Sequence, residues 1–402
     1  MDHTAAIPED YNPLVQEDFD TAHQEYERLR AQCPVAHSDA YGGFWALTKY
    51  KDVQKVFSDP DTFITSVQNV VPKVAFSGRR PPLHFDPPEH TPYRAALNPL
   101  LSEDKIKRLL PDIRRCIRTE LQPLLARGHG DICGEFASHF QVKVFSLWMN
   151  LPKELEVQLA EAGPAFVKAV ESAQPDLMKE TSLVLYDMAR ALVALRQAHP
   201  MDPQQDPVSS FLAVRTDGQP LPQDMVIGAI RQVLVVGIVA PMIMIGNMAI
   251  HLARDKELQR HLRAHPEKIP AALEEFLRLY TPYRGFARTA THDVVINGRT
   301  IKKDEAIALI MASANRDEDV FPDPATFQLD RPNIKEHLAF GRGPHYCAGA
   351  NLARQELAVA LEELLQHTED FDIDGEVLMS PFPELGPWYV PLRFQCGGAQ
   401  GA

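Results

Sequence analysis

The sequence predicts a mainly α-helical protein, a helix-rich single domain with a minor β region. Helical spacing of apolar residues fills most of the first 280 positions of the 402-residue chain. Short β-type segments cluster after Thr281, where Asn297-Gly298 separates two apolar runs in the manner of a hairpin. No repeat or linker divides the chain, which is long enough to bury a core that holds a cofactor. We therefore expect one domain over 1–396 and a disordered tail over 397–402.

The elements follow from local patterns, taken in chain order. Apolar periodicity predicts helices over 19–32, 50–57, 90–150, 154–199, 224–254, 270–280 and 348–367. Strands are expected at 44–47, 294–296, 300–301 and 306–310, with a terminal strand pair after the last helix. The stretch 70–88 is rich in Pro, Gly and Arg, which predicts a loop.

The helix over 224–254 contains a run without charge, from Val233 to Ile250, that is long enough to span a membrane. Gly237 and Pro241 interrupt it, and because Pro241 lacks a backbone donor we expect a local opening of the helix there. No Trp or Tyr belt flanks the run. A helix at the centre of a large protein is apolar on all sides for the same reason. We predict a buried central helix and no membrane partner.

Composition excludes some classes of partner and compartment. The net charge of −13 argues against nucleic acid, because phosphate binding requires a basic surface. Five scattered cysteines without a CxxC pair do not form a disulfide framework, and the polar N-terminus lacks a signal-peptide pattern. The cytoplasm is the expected compartment. The basic stretch from Lys105 to Arg118 is either a solvated helix face or a docking patch for an acidic protein.

The most informative stretch runs from Phe340 to Gly349 around Cys347. Its glycines permit a tight loop, and the N-terminus of the following helix can stabilise a thiolate. A lone thiolate in such a loop suits haem iron, whereas a single Cys is otherwise more often a buried structural residue. The string resembles the haem-binding signature of the cytochrome P450 family, phenylalanine-glycine-x-glycine-x-histidine-x-cysteine-x-glycine. Every fixed position is met.

The resemblance covers nearly the whole chain and implies a cytochrome P450 fold holding haem b, iron protoporphyrin IX. The haem would lie between the helix at 224–254 and the loop at 340–349, with Cys347 as the iron ligand. The implied cofactor-binding residues are His90, Arg94, Arg288, Phe340, His345, Cys347 and Gly349. Arginine suits a haem propionate because it donates two charge-assisted hydrogen bonds to a carboxylate.

The run Glu275-Phe276-Leu277-Arg278 places an acid and a base three residues apart, on one helix face. Such a pair is weak evidence alone, because it is common on solvated helices. The resemblance implies that Glu275 and Arg278 join Arg331 and hold the cysteine loop, a structural role.

The central helix departs from the family pattern, which places an acid and an alcohol above the haem. Here Gly237 is kept, but Val239 and Ala240 occupy the positions of the acid and the alcohol. These three residues are expected to border the oxygen site, and neither Val nor Ala can relay a proton. Four alternatives would account for the missing proton relay. They are a substrate hydroxyl or ordered water, another side chain, peroxide as the oxidant, and a reaction other than oxygenation.

By analogy with the family, the substrate pocket is lined by apolar residues, which suits a small apolar or aromatic substrate. The expected lining is Val71, Phe76, Phe166, Val236, Ala240, Phe286 and Leu385. Arg284 is unusual among them. It either pairs with a substrate carboxylate, pairs with a protein acid such as Glu384, or turns outward.

The implied reaction is monooxygenation, in which one oxygen atom of O2 enters a C–H bond, or an O-dealkylation. No flavin or iron–sulfur motif is present in the chain, so electrons are expected from a separate ferredoxin and its reductase. Arg342 and the stretch 108–115 are the candidate docking face, and a monomer is expected. The alternatives are a peroxide-driven peroxygenase, a non-catalytic haem-binding protein and a membrane-anchored protein.

Overall fold

A computed structural model describes residues 9–15, 17–73, 78–171 and 174–396. Helices dominate these residues, which confirms the predicted fold class. In chain order they are α1 (Gln24–Gln32), α2 (Tyr50–Ser58), α3 (Thr91–Leu97), α4 (Glu103–Arg127), α5 (Ser138–Trp148), α6 (Lys153–Glu171), α7 (Pro175–Ala198), α8 (Pro207–Ala213), α9 (Gln223–Val236), α10 (Val239–Arg254), α11 (Lys256–Ala264), α12 (Ile269–Leu279), α13 (Met311–Ala314) and α14 (Ala350–Gln366).

The strands are short and form small sheets. They are β1 (Val35–Ser38), β2 (Phe44–Leu47), β3 (Phe63–Ile64), β4 (His129–Asp131), β5 (Arg215–Thr216), β6 (Gln219–Pro220), β7 (Phe286–Ala290), β8 (Val294–Ile296), β9 (Arg299–Ile301), β10 (Ala306–Leu309), β11 (Asp370–Ile373), β12 (Leu378–Met379), β13 (Pro387–Tyr389) and β14 (Pro391–Gln395). One sheet has the order β1-β2-β10-β7-β3 and another β11-β14-β4, and three further pairs are β12-β13, β5-β6 and β8-β9.

The hairpin β8–β9 forms as its turn residues predict. Asn297 and Gly298 both have positive φ, 45° and 75°, as a two-residue hairpin turn requires. The strands pair antiparallel with Val294 opposite Ile301.

The central helix is buried, but it is not continuous. The segment Gln223–Arg254 is apolar and long enough to cross a membrane, and 78% of its most apolar window is buried inside the protein. The helix predicted over 224–254 has its expected local opening at Gly237 and Ile238, between α9 and α10. The cause is Pro241, which has no N–H to donate to the carbonyl of Gly237 four residues earlier.

Two predicted boundaries were wrong. The first helix begins at Gln24 rather than at residue 19, because the Asp18 side chain accepts hydrogen bonds from the backbone N–H groups of Asp20 and Thr21 and forms a turn. The predicted helical stretch over 90–150 contains the strand β4, which pairs with β14 at the other end of the chain.

Candidate active site

The loop around Cys347 is a compact turn at the N-terminus of α14. The backbone N–H of Cys347 donates to the carbonyl of Phe340 (2.9 Å), and that of Tyr346 donates to the carbonyl of Gly343 (3.0 Å). Gly343 has a φ of +72°, and a Cβ there would lie 2.3 Å from the carbonyl oxygen of Phe57. Only glycine fits this position, so the sequence dictates the loop that presents the thiol.

The Cys347 thiol lies deep in the molecule and is nevertheless accessible, so it borders an internal cleft. Burial raises the pKa of the Cys347 thiol, while the backbone N–H of Gly349 and the charge of Arg94 lower it. A bound metal cation would favour the thiolate form.

Four basic side chains converge near this thiol, and we call them the basic ring: His90, Arg94, Arg288 and His345. The imidazole centroids of His90 and His345 are 4.4 Å apart. Nε2 of His345 lies 3.4 Å from the hydroxyl of Thr65. Nη1 of Arg288 donates to the backbone carbonyl of Ala287 (2.8 Å).

Burial weakens the charge of the basic ring. Burial and then the charges of Arg288 and His90 lower the pKa of His345 to about 3. Burial and then Arg94 lower the pKa of His90 to about 4. Burial lowers the pKa of Arg288 to about 10. The acid that acts on this region is Asp86, whose carboxylate already accepts from the backbone N–H groups of Thr65 and Ser66.

The basic ring therefore fits an anionic group with two carboxylates. Nε2 of His90 is buried without a hydrogen-bond partner among the described residues, and the Arg288 guanidinium has no bonded carboxylate. Buried polar groups are normally bonded, so both are suited to a ligand. Haem propionates beside a Cys ligand match this donor set.

The predicted structural triad is formed. Arg278 donates to both carboxylate oxygens of Glu275 (2.8 and 2.7 Å), and Nε of Arg331 contacts the same oxygens (3.0 and 3.1 Å). All three side chains are almost completely buried. Arg278 also donates to the carbonyl of Asn315 (2.9 Å), whose side chain accepts from the backbone N–H of Leu338 (2.6 Å). The triad thus connects to the start of the cysteine loop.

A second cluster, missed in the sequence, holds both ends of the same loop. Glu274 contacts Nε2 of His337 (2.9 Å) before the loop and accepts from Arg354 (2.6 and 3.0 Å) after it. The Arg354 guanidinium lies 4.5 Å above the Phe340 ring. Although burial opposes it, hydrogen bonds from His337 and Arg354 lower the pKa of Glu274 to about 2. Glu274 directly precedes Glu275, and this adjacency was the available clue.

The helix break lies beside a buried acid that was also missed. With its amide nitrogen facing them, Gln141 donates to the carbonyl of Gly237 (3.3 Å) and to the carboxyl group of Glu356 (3.2 Å). A Cβ at Gly237 would lie 1.9 Å from the Phe145 ring, so glycine is required for this packing. Gln141 thus satisfies the carbonyl that Pro241 leaves without a helical partner.

The predicted substrate residues do not all lie together. Val236 is 55% exposed on an otherwise buried helix, and Val239 and Ala240 are partly exposed, so this face borders the cleft. Phe166 is partly buried, and Phe286 stacks on Tyr283 with centroids 4.2 Å apart. Phe76 lies outside the described residues.

Val71 and Leu385 are corrections to the predicted pocket. They are 1% and 4% exposed and pack in an apolar core cluster with Phe44 and Phe382. This cluster is separate from the one that contains the central helix, so we do not place Val71 and Leu385 in the pocket.

Arg284 is also a correction, because the structure gives it a protein partner. Its Nη1 pairs with Glu17, and its Nε donates to the backbone carbonyl of Glu384 (2.9 Å). Nη1 also donates to the hydroxyl of Tyr26 (3.1 Å). Because a protein carboxylate already neutralises the guanidinium, it does not require a substrate carboxylate as its counter-charge. Of the three alternatives for Arg284, the structure therefore supports pairing with a protein acid, and that acid is Glu17.

The predicted docking stretch is partly neutralised by protein acids. Arg114 pairs with Glu362 and Glu363, and Arg115 pairs with Asp112. Arg108 and Arg342 are exposed.

Comparisons with known proteins agree with this geometry. The family model described as "Cytochrome P450" matches residues 247–378. A protein named "Cytochrome P450 109" from Bacillus spizizenii is 31% identical, over 92% of this chain and 90% of its own. The "20-oxo-5-O-mycaminosyltylactone 23-monooxygenase" of Streptomyces fradiae is 27% identical over 92% and 89% of the two chains. The solved structure of "Cytochrome P450 CYP109Q5 from Chondromyces apiculatus" has a TM-score of 0.84, 26% identity and coverage of 95% and 98%.

Proposed function

The chain belongs to the cytochrome P450 family of monooxygenases, and from this premise we propose that it inserts one oxygen atom of O2 into a small apolar or aromatic substrate. The reaction is a hydroxylation or an O-dealkylation. The observation that carries the proposal is the convergence of the basic ring on the cleft beside Cys347.

The family implies haem, and haem b fits the residues of this cleft. Cys347 is the proposed iron ligand, with Phe340 and Gly349 in the same loop. The basic ring would hold the propionates through charge-assisted hydrogen bonds. When bound, the haem supplies the iron chemistry that activates oxygen.

The chain's own residues exclude water and position the substrate. Val236, Val239 and Ala240 present an apolar face to the cleft and offer no group that holds a proton. A substrate hydroxyl or an ordered water is one proton source. Glu356 is the side-chain alternative, because Gln141 connects its carboxyl group to the carbonyl of Gly237 at the helix break.

Electron delivery is assigned to separate proteins, a ferredoxin and its reductase. The exposed cations Arg108 and Arg342 support a docking face for an acidic partner. A cytoplasmic monomer is the proposed state.

The test compares the parent protein with a Cys347→His variant. The reduced parent with carbon monoxide should give the absorption band of a haem thiolate, and substrate should couple reduced nicotinamide oxidation to product through added ferredoxin and reductase. The variant should retain haem, lose that band and lose coupled turnover. A Cys347→His variant with an unchanged band would refute Cys347 as the ligand.

A peroxygenase is the second candidate, and the observation that favours it is Val239 and Ala240 in place of the acid–alcohol pair. Peroxide brings its own protons, so no relay is needed. Turnover with hydrogen peroxide alone, at a rate equal to ferredoxin-driven turnover, would favour this candidate. Turnover only with ferredoxin and O2 would exclude it.

A further inference from the structure

Arg231 is a buried cation in the last turns of α9, a helix that is otherwise mostly apolar. It is 1% exposed, and its Nη2 donates to the hydroxyl of Ser182 on α7 (2.8 Å). Its Nε and Nη1 have no hydrogen-bond partner among the described side chains. Burial and the charge of Arg80 lower its pKa to about 9, and no described carboxylate raises it.

The surroundings of Arg231 resemble a binding site for an anion with an apolar body. The guanidinium carbon lies 4.7 Å from the centre of the Phe166 ring and 5.8 Å from that of Tyr186. The Tyr186 hydroxyl is buried and lacks a partner within the described part of the chain. The guanidinium thus lies beside two aromatic rings, one of which carries an unpartnered hydroxyl, and no described carboxylate pairs with Arg231.

A buried guanidinium without a carboxylate destabilises a folded protein, and proteins retain such groups mainly at functional sites. Arg284 is a useful contrast. It is similarly buried, but Glu17 neutralises it. The two arginines therefore differ in whether the protein supplies the counter-charge.

Arg231 also lies at a useful distance from the predicted oxygen site. It lies six positions before Gly237, which corresponds to roughly 9 Å along the helix. Val236, the last residue of α9, is 55% exposed. A ligand head group at Arg231 would leave a body of about one ring or a short alkyl chain directed toward the helix break.

We propose that Arg231 binds the carboxylate of the substrate, with the Tyr186 hydroxyl as a second donor and the Phe166 ring against the substrate body. The substrate class is a small aromatic or aliphatic monocarboxylic acid, oxidised at the end remote from its carboxylate. This inference rests on the proposed function, because it assigns the substrate of the same cleft.

The experiment titrates the ferric holoprotein with matched acids and amides: phenylacetate against phenylacetamide, and octanoate against octanamide. Binding is followed by the spin-state shift of the haem and by calorimetry. The parent should bind at least one acid about tenfold to a hundredfold more tightly than its amide. Arg231→Met should lose that preference without weakening the amide, and Arg231→Lys should retain part of it.

Arg284→Met is the matched control, because it removes a buried arginine that has a carboxylate partner. It should lower the unfolding temperature and leave the acid preference unchanged, whereas Arg231→Met should not lower the unfolding temperature of the ligand-free holoprotein. Equal binding of acids and amides by the parent, an unchanged preference in Arg231→Met, or no binding of either acid at millimolar concentration would overturn the proposal. The carbon monoxide spectrum of the same samples reports the haem thiolate separately, so failure of the proposed function is distinguishable.

Discussion

Glu356 illustrates how a single buried residue can change the chemistry of a helix break. It is 1% exposed, and burial raises the pKa of its carboxyl group well above the ordinary range. Gln141 donates to it, and no arginine or lysine pairs with it among the described residues. Burial thus favours the neutral form of this carboxyl group, and Gln141 donates both to it and to the carbonyl of Gly237.

Replacing Glu356 with Gln should have an effect on stability that depends on pH. Below the pKa of the Glu356 carboxyl group in the unfolded chain, about 4.3, both the folded and the unfolded state hold the proton. The ionisation of Glu356 then has no effect on the free energy of unfolding. As pH rises from there toward the raised folded pKa, the unfolded state alone releases the proton. The parent then loses about 1.4 kcal/mol per pH unit relative to Glu356→Gln. Urea denaturation at several pH values between four and eight measures this difference.

Glu363 on the same helix is the control, because its change should have the opposite sign. Arg118 and Arg114 lower the pKa of its carboxyl group, although burial opposes them. Its stabilising effect is present above the unfolded pKa and is lost as pH falls. Glu363→Gln should therefore cost most near neutral pH. A Glu356→Gln difference that does not change with pH would mean that Glu356 is ionised in the folded protein.

Sequence reasoning identified the thiol because glycines and a helix start around Cys347 act locally. It could not show that Arg284 pairs with a protein carboxylate and that Arg231 has no such partner among the described residues. The partner of Arg284 is Glu17, which is 267 residues away in sequence, and no local pattern reveals that pairing. For Arg231 a clue was present, since an arginine within a long apolar helix is rarely buried without a reason.

At the level of elements, the two ion clusters that hold the cysteine loop should contribute unequally to its stability. Glu275 is fully buried with Arg278 and Arg331, whereas Glu274 remains 23% exposed beside Arg354. Removing one member of a buried pair leaves the remaining charges without compensation. The triad should therefore dominate the stability of the loop.

We expect Glu275→Gln to reduce the free energy of unfolding by about 3–5 kcal/mol. The matched control is Glu25→Gln, because Glu25 and Arg28 form a pair of the same three-residue spacing with side chains 33% and 42% exposed. That change should cost no more than about 0.5 kcal/mol. Denaturant unfolding of the holoprotein measures both. Similar losses in the two variants would contradict a supporting role for the triad.

Elements with local causes were predictable, and elements with distant causes were not. The hairpin β8–β9 follows from Asn297-Gly298, and Pro241 accounts for the interrupted central helix. The strand β4 exists because it pairs with β14, so that Gly130 lies opposite Leu392. Nothing near Gly130 in sequence indicates a strand.

At the level of the whole molecule, buried cations remain without carboxylate partners although the net charge of the chain is negative. The chain carries a net charge of −13, yet two buried guanidinium groups, those of Arg288 and Arg231, have no bonded carboxylate among the described residues. Protein acids are plentiful enough to pair with them, as Glu17 pairs with Arg284. The protein therefore retains a stability cost at two places, which is expected where ligands supply the anions.

The lack of a carboxylate partner for Arg288 among the described residues leads to a prediction about haem retention. Arg288→Met should release haem about tenfold to a hundredfold faster, because a buried charge-assisted hydrogen bond to a propionate is lost. Its apoprotein should be no less stable than the parent apoprotein, because the uncompensated charge is lost as well. Haem transfer to an apomyoglobin scavenger and urea denaturation of the apoproteins measure the two quantities.

Arg316→Met is the control for that prediction. Arg316 donates to the carbonyl of Leu279 (2.9 Å), and burial also lowers its pKa, to about 10. It resembles Arg288 in bonding and in the direction of its pKa shift, but it is not part of the basic ring. Its replacement should leave the rate of haem release unchanged. Equal haem release from the parent and Arg288→Met would show that the Arg288 charge serves the fold, and the balance between stability and ligand binding would then apply to Arg231 alone.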